Sequence, residues 1–411
     1  MTGRVFILPL LALVIGIVAW PGEWGRVTLM PLSLLVPVFW AWSPRAWQAV
    51  LVGLAYHLAA SRGLPEGAAT YFGEGLPVGI GLWLGAGALL ALTYGVIWHR
   101  RFANRLWRLP LLLLLLAVPP VGIVGWAHPL TATGFLFPAQ GWWGFMAGVV
   151  LIMVLADLPK PQVRLGMLGA VMGLLMLLLG ARSSGKPVVA VQGTDTYLAY
   201  DTNRLESQQS YLHQYELIDL VLANRAPTVV LPESAAGHWD AGKRSLWREA
   251  GPALEGRRVF MGGAHRAGDG RLENVLIQVS GASKRIVYRQ RMPVPVAMWR
   301  PWSPESFNAA WWTNPTFDLG GVRAAALICY EHYLVWPVLQ SMRFEPDLLI
   351  GIGNVWWAKE KVGLTPDATS LPAIQQAALR AWAKLFDVQL VTAFNFGEKD
   401  GGAQPLGVAR P

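Results

Sequence analysis

Leu327-Ile328-Cys329-Tyr330-Glu331 holds the one cysteine in a chain of 411 residues. An apolar run from Ala324 to Ile328 precedes the cysteine, and a helical pattern follows it. A strand that ends in this way carries the sulfur to its carboxyl end, where the start of a helix favours negative charge. The alternative is a buried structural thiol. The residues at the other strand ends favour the first interpretation.

The composition indicates a membrane protein with a soluble part. Hydrophobic residues make up 54% of the chain and charged residues 14%, and the mean hydropathy of +0.37 is too high for an ordinary soluble protein. Residues 1–181 form a succession of seven apolar segments, several of them shorter than the ~20 residues that a bilayer core requires. The segments are Val5–Trp20, Thr28–Trp42, Trp47–Ala60, Pro77–Trp98, Leu109–Ala127, Trp142–Ala156 and Leu165–Ala181.

Basic residues between these segments predict the orientation. With the N-terminus inside, the cytoplasmic side collects eight lysines and arginines, and the outer loops keep only Arg26 and Arg62. Seven crossings then place everything after residue 181 outside, in the periplasm of a Gram-negative cell. Although the net charge is +9, the basic cluster Arg100–Arg108 is a topology anchor in this interpretation. No direct contact with nucleic acid is expected.

The second half of the sequence predicts a layered α/β domain, because short apolar runs alternate with helical patterns. The predicted strands are Val188–Gln192, Thr228–Leu231, Arg258–Gly262, Asn274–Val279, Ile286–Gln290, Arg323–Ile328, Asp347–Gly351 and Val388–Phe394. The predicted helices are Asn203–Asn224, Glu331–Met342 and Ser370–Phe386.

Two carboxylates stand beside the predicted strand ends. Glu233 follows a run that should be buried, where a carboxylate needs a partner or a chemical role. Its alternative role is a helix cap. Glu331 lies two residues after Cys329 and within reach of the same site.

Six short motifs, taken in their order and spacing, resemble the nitrilase (carbon–nitrogen hydrolase) superfamily. They are Val191-Gln192-Gly193, Leu231-Pro232-Glu233, Tyr288-x-x-x-x-x-Val294-Pro295, Ile328-Cys329-Tyr330-Glu331, Gly353-Asn354-x-Trp356 and Thr392-Ala393-x-Asn395-x-Gly397. With the apolar segments before them, the chain resembles apolipoprotein N-acyltransferase and, more closely, the TraB-type conjugal-transfer proteins of rhizobial and agrobacterial plasmids.

The resemblance implies a polytopic α-helical membrane domain over residues 1–182, followed by an α/β nitrilase-like α-β-β-α sandwich over 183–411. The second domain is expected to face the periplasm from the bacterial inner membrane. Compared with the lipoprotein enzymes, it is expected to be truncated at its C-terminus.

The resemblance also implies the roles of the site residues. Glu233 would be the general base, Cys329 the nucleophile and Glu331 a supporting carboxylate. The lysine of the superfamily triad falls at position 290, which is Gln290 in this chain. Glutamine can donate a hydrogen bond but brings no positive charge.

Three further residues are expected to contact the substrate, namely Tyr330, Asn354 and Trp356. The neighbours of position 290 do not replace its charge, because strand alternation turns Arg289 and Arg291 away from the face that Gln290 occupies.

Two hypotheses about function stay open from the sequence. In the first, the chain supports plasmid conjugation as a cysteine-dependent acyltransferase or amide hydrolase that acts on a lipid or an acyl-bearing envelope substrate through a thioester. In the second, the fold has lost catalysis and is a membrane-anchored binding or assembly component that contacts conjugation proteins. Departures at Gln290 and at Val296-Ala297-Met298 argue against lipoprotein N-acylation itself. No cofactor and no metal are expected.

Overall fold

The computed structural model describes residues 6–20, 23–24, 27–158, 169, 173, 188–197, 208–280, 285–313, 315–357 and 371–397. The chain divides into two compact units. The first takes the described residues of 1–186, 333–338 and 360–388, and the second takes those of 187–332, 339–359 and 389–411. The described residues of 333–338 and 360–388 therefore group with the first unit, whereas a single boundary after residue 182 would place them in the second.

The first unit is helical. Its α-helices before residue 187, in the described part of the chain, are α1 (Ile7–Ala19), α2 (Leu35–Trp42), α3 (Ala46–Ala60), α4 (Leu64–Phe72), α5 (Leu76–Ile97), α6 (Phe102–Ala117), α7 (Thr133–Leu136) and α8 (Gly141–Asp157). A two-stranded ribbon of β1 (Glu23–Trp24) and β2 (Val27–Thr28) follows α1.

Small residues let these helices approach closely. A methyl group at Gly16 of α1 would lie 2.6 Å from the Tyr56 carbonyl of α3, and one at Gly53 of α3 would lie 2.7 Å from the Tyr94 ring of α5. Glycine at position 16 therefore lets α1 approach the backbone of α3, and glycine at position 53 lets α3 approach the Tyr94 ring of α5.

The predicted membrane spans coincide with helices only in part. One helix of the described residues, α5, is long and apolar enough to cross a bilayer, and a second span results if the sharply bent pair Pro129–Leu136 and Gly141–Asp157 is counted as one. The fifth predicted span, Leu109–Ala127, begins inside α6 but extends past the end of that helix at Ala117. The seventh predicted span, Leu165–Ala181, lies outside the described residues except for Gly169 and Gly173. The polytopic arrangement stays a prediction.

The second unit contains two sheets. In the described residues, one sheet has the order β3 (Val191–Gly193), β4 (Thr228–Val230), β5 (Arg258–Arg266), β6 (Leu272–Gln278) and β7 (Arg285–Arg289). The other has the order β11 (Gln389–Asn395), β10 (Leu348–Asn354), β9 (Arg323–Ile328) and β8 (Phe317–Asp318). Strands β3 to β5 are parallel to one another, as are β9 to β11.

These sheets pack face to face. The core between them includes Phe260 and Leu276 from the first sheet and Ile328, Ile350 and Ile352 from the second. A separate core lies on the other face of the first sheet, beneath the helices α9 (Gln208–Ala223) and α10 (Ala241–Glu249). Helices, sheet and sheet are thus three successive layers of the predicted α-β-β-α order.

Two later helices belong wholly or partly to the first unit. They are α11 (Val335–Met342), which the division cuts after Val338, and α12 (Leu371–Phe386). Within that unit, Trp142 of α8 stands edge-on to Phe386, with 5.3 Å between the ring centroids.

The predicted strands of the second half are all present, with boundaries that move by a few residues. The predicted helix over 331–342 is broken: Cys329–Tyr333 form a 3-10 helix, and α11 begins only at Val335. The predicted helix over 203–224 is α9, and its first five predicted residues lie outside the described part of the chain.

Candidate active site

Cys329 stands at a sharp turn between strand and helix. It follows β9 directly and begins the 3-10 helix, and its φ of 48° lies in the left-handed region that a non-glycine residue adopts at a cost of about 1–2 kcal/mol. Such a turn holds the side chain beyond the strand end, a placement also found for nucleophiles in some hydrolases. The side chain is 9% exposed, so the sulfur is largely screened from bulk water.

Glu233 is a hydrogen-bond partner of the cysteine thiol. It lies three residues beyond the end of β4 and is 6% exposed. The Cys329 thiol hydrogen-bonds to its carboxylate. The Asn274 side-chain nitrogen donates to Oε1 at 2.7 Å, and the Asn354 backbone N–H donates to Oε2 at 2.8 Å. The structure thus brings Glu233 and Cys329 together, and their catalytic roles stay a prediction.

The electrostatics of Glu233 suit a general base near neutral pH. Burial raises its pKa from 4.5 to about 7, and the bonds from Asn274, Cys329 and Asn354 limit that rise because they favour the charged form. No lysine or arginine in the described part of the chain forms an ion pair with this carboxylate. Its proton affinity is therefore set mainly by burial and hydrogen bonds, and the nearby charge of Glu331 raises it further.

Gln290, where the resemblance expects a lysine, is linked to Glu233 by hydrogen bonds through Asn274. The Asn274 side-chain nitrogen donates to both Glu233 and the Gln290 Oε1, the latter at 2.9 Å. The Gln290 Nε2 donates to the Ile328 carbonyl at 2.9 Å, and the side chain is 1% exposed. An uncharged network of two amides thus links the base to the strand that carries the cysteine.

Glu331 is a structural carboxylate in this site. It is fully buried, and it accepts hydrogen bonds from the Tyr288 hydroxyl, from the backbone N–H of Ile328 at 2.8 Å and from that of Arg291 at 2.7 Å. Burial raises its pKa, and the Arg291 guanidinium opposes that rise. Because these donors come from the ends of β7 and β9, Glu331 ties those two strand ends together.

The two arginines beside Gln290 have partners other than Glu233, as strand alternation predicts. Arg289 pairs with Glu273 at 2.9 Å. Arg291 is fully buried, and its guanidinium donates to the Tyr288 hydroxyl at 3.0 Å and to the Ser341 hydroxyl at 2.8 Å.

A ladder of polar side chains leads to Asn354. The Thr196 hydroxyl donates to the Asn395 Oδ1 at 2.9 Å, and the Asn395 Nδ2 donates to the Asn354 Oδ1 at 3.1 Å. Asn354 and Asn395 are register partners at the ends of β10 and β11. The Asn354 Nδ2 has no hydrogen-bond partner among the described residues.

The other predicted substrate residues lie nearby in sequence and differ in exposure. Tyr330 is 9% exposed, and burial raises its pKa well above the usual range. Trp356 is half-buried in the loop after β10, where its Cβ would lie 3.1 Å from a methyl group at Gly397. Their contact with a substrate stays a prediction. His332 is neutral, since burial lowers its pKa to about 4.

Sequence analysis missed Asn274, the residue that connects the base to Gln290. An asparagine is disfavoured in a strand interior, and Asn274 directly precedes the buried Val275, Leu276 and Ile277. That conflict is the one signal in the sequence that could have identified it. Within the described residues, no group of three His, Cys, Asp or Glu side chains could hold a metal ion.

Comparisons with known proteins find one matching family model and several similar solved structures. Residues 241–384 match the family model described as carbon-nitrogen hydrolase. Among solved structures, the chain is similar to an amidase from Nesterenkonia sp. at 13% identity, over 52% of this chain and 80% of that one, with a TM-score of 0.33. A mutant of the Nesterenkonia AN1 amidase from the nitrilase superfamily gives 12% identity, 52% and 79% coverage and the same TM-score.

Two relatives match nearly the whole chain. A probable conjugal transfer protein TraB of Sinorhizobium fredii is 38% identical over 395 residues, which cover 95% of this chain and 97% of the relative. The conjugal transfer protein TraB of Agrobacterium fabrum is 38% identical over 414 residues, with 95% and 93% covered. The chain therefore belongs to the TraB family of conjugal transfer proteins, with a nitrilase-like carbon–nitrogen hydrolase domain in its second half.

Proposed function

We propose that the chain is a cysteine-dependent acyltransferase or amide hydrolase that supports plasmid conjugal transfer from the bacterial inner membrane. The observation that carries this proposal is the hydrogen bond between the Cys329 thiol and a buried carboxylate, Glu233, whose pKa is about 7. A carboxylate with that pKa can take a thiol proton and return it near neutral pH. The role in conjugation rests on the family to which the chain belongs.

The reaction follows from the two groups. Glu233 takes the Cys329 proton while the sulfur attacks an ester or amide carbonyl. As the tetrahedral intermediate collapses, the leaving alcohol or amine takes that proton from Glu233, and a thioester remains on Cys329. Glu233 then deprotonates water or an acceptor amine, which attacks the thioester, and the returned proton restores the thiol.

A lipid or acyl-bearing envelope molecule is the substrate class that fits a membrane location. Helix α5 has 22 residues, so it is about 33 Å long and matches a bilayer core of about 30 Å. Its Leu92 and Val96 are 58% and 77% exposed. Apolar surface of this kind on α1 and α5 fits contact with lipid acyl chains, and the distribution of lysines and arginines favours a periplasmic second unit.

Acylation of the purified full-length chain in detergent tests the enzymatic proposal. After exposure to 4-nitrophenyl esters of short and long fatty acids, intact mass should show one added acyl group in the wild type and none in Cys329→Ala. Glu233→Gln should lose the adduct, and Glu216→Gln, which alters an exposed carboxylate on α9, should keep it. Absence of a wild-type adduct would contradict the proposal.

Gln290 favours a second candidate function. Both of its polar ends are bonded within the protein, and no cation is supplied from this position to hold a thiolate. A chain without catalysis would be a membrane-anchored binding or assembly component for conjugation proteins. In that case Cys329 would give no acyl adduct, and a chain with Cys329→Ala would still support plasmid transfer in mating assays.

A separate experiment tests the membrane location. Alkaline phosphatase, which folds in the periplasm, should be active when it is fused after residue 397. A fluorescent protein that folds only in the cytoplasm should not fluoresce when it is fused at the same place. The opposite pattern would overturn the proposed orientation.

A further inference from the structure

Asn354 presents a buried amide nitrogen whose orientation is fixed by its neighbours. Its Oδ1 accepts from Asn395, whose own Oδ1 accepts from the Thr196 hydroxyl. If the Asn354 amide alone were turned over, its nitrogen would face the nitrogen of Asn395, donor against donor. The ladder therefore directs the Asn354 Nδ2 away from Asn395.

The face of the sheet places this nitrogen beside the reacting groups. Ile350 and Ile352 lie in the core between the two sheets, and side chains two residues apart on a strand share a face. Asn354 therefore points to the same side as these isoleucines. Its backbone N–H bonds the carboxylate of Glu233 that also binds the Cys329 thiol, so Asn354 is a neighbour of the carboxylate that the thiol contacts.

An unpaired donor at this depth calls for an explanation. Asn354 is 5% exposed and its Nδ2 has no partner among the described residues. A buried polar group without a hydrogen bond costs about 1–3 kcal/mol, and each other polar atom of this side chain and its backbone N–H is bonded. A bound carbonyl oxygen would remove that cost.

We propose that the Asn354 side-chain amide donates to the carbonyl oxygen of the substrate, and that Asn395 and Thr196 are positioning residues for this donor. The inference rests on the proposed function. When the Cys329 sulfur attacks, the carbonyl π electrons move to that oxygen, and the amide N–H stabilises the resulting negative charge. When the intermediate collapses, the electrons return and the leaving group departs with the proton held by Glu233.

The proposal also narrows the substrate class. Position 290 supplies a neutral amide bonded within the protein instead of an ammonium group, and Asn354 adds a neutral donor. Uncharged ester or amide carbonyls fit a neutral donor, whereas a free carboxylate group would meet the charge of Glu233 without a cation to offset it.

The test compares two reactions of the same thiol in the full-length protein. Acylation of Cys329 by 4-nitrophenyl butyrate passes through an oxyanion, whereas alkylation by iodoacetamide displaces iodide and forms none. The ratio of the two rates therefore isolates oxyanion stabilisation from the reactivity of the thiol.

Asn354→Asp keeps the shape and the oxygen that accepts from Asn395, and it replaces the unpaired donor by an acceptor. Together with Asn354→Ala, it should lower the ratio by about 100- to 1,000-fold, the usual effect of losing one oxyanion donor. Melting temperatures of both variants identify any that fail to fold.

Thr196→Val tests the positioning role, because it removes the hydroxyl that orients Asn395. The ratio should fall by about 2- to 10-fold, as expected for one neutral hydrogen bond, and Thr313→Val, which removes an exposed hydroxyl, should leave it unchanged. A ratio that neither Asn354 variant alters would overturn the inference and leave the base-activated thiol intact. A wild-type Cys329 that is alkylated but never acylated would overturn both.

Discussion

The side-chain nitrogen of Asn274 lies 2.7 Å from the Glu233 Oε1 and 2.9 Å from the Gln290 Oε1. One amide thus bridges the Glu233 carboxylate and the Gln290 side chain. Since Glu233 has no ion-pair partner in the described part of the chain, this bridge is one of the interactions that keep the pKa of Glu233 from rising further with burial.

Asn274→Ala should raise the pKa of Glu233. Loss of a hydrogen bond to a charged group costs about 1.5–3 kcal/mol, and 1.36 kcal/mol corresponds to one pKa unit. The pH midpoint of Cys329 acylation should therefore rise by about one to two units. The control is Asn308→Ala, which removes a similar bond to the solvent-exposed carboxylate of Asp269. A midpoint that stays in place in Asn274→Ala would contradict the bridging role.

Gln290→Lys should restore an opposite charge beside the base. An ammonium group within about 4–6 Å of a carboxylate lowers its pKa by about 1–3 units, so the acylation midpoint should move to lower pH. The plateau rate should rise as well, because the cation favours the thiolate and the oxyanion. Gln290→Met, which has similar length and no charge, should show neither change. Equal midpoints in the two variants would indicate that position 290 has no electrostatic access to Glu233.

Tyr288→Phe should destabilise the second unit without a direct effect on the thiol. The Tyr288 hydroxyl donates to the Glu331 carboxylate and accepts from the Arg291 guanidinium at 3.0 Å. Removing it leaves buried charged groups without that partner, at a cost of about 1–3 kcal/mol. The midpoint of thermal denaturation should fall, and Tyr215→Phe, at a 56% exposed position, should leave it unchanged. An unaltered midpoint in Tyr288→Phe would show that Glu331 does not hold the strand ends together.

Local signals in the sequence were enough to predict most of the second unit. Each predicted strand is a short apolar run, and β9 matches the predicted bounds of Arg323–Ile328, whereas the two-residue β8 was not predicted. Glu233 and Cys329 could be identified because each stands beyond such a run. Glu233 follows β4 of one sheet and Cys329 follows β9 of the other, so their proximity depends on how the two sheets pack.

The supporting residues could not be predicted in the same way. Asn274 reaches Gln290 only through the antiparallel pairing of β6 with β7, and that register shifts between Leu276 and Ile277. Thr196 meets Asn395 across a separation of 199 residues. Such contacts depend on registers between distant strands, which short motifs do not encode.

Apolar segments in the first half were predicted from hydropathy, but the ends of their helices were not. Hydropathy alone does not predict that α6 ends at Ala117. The helix ends there because Pro119 and Pro120 lack the N–H groups that would continue it. The apolar run continues beyond this point as two short 3-10 segments, Val121–Val124 and Pro129–Ala132.

The most direct test of the account is the pH dependence of Cys329 alkylation by iodoacetamide in the wild type and in Glu233→Gln. Burial raises the pKa of Glu233 to about 7, and the base acts only when it has lost its proton. The wild-type rate should therefore rise with pH through a midpoint near 7, and Glu233→Gln should lose that midpoint and react more slowly at pH 7. A wild-type profile that Glu233→Gln leaves unchanged would contradict the claim that this carboxylate activates the cysteine.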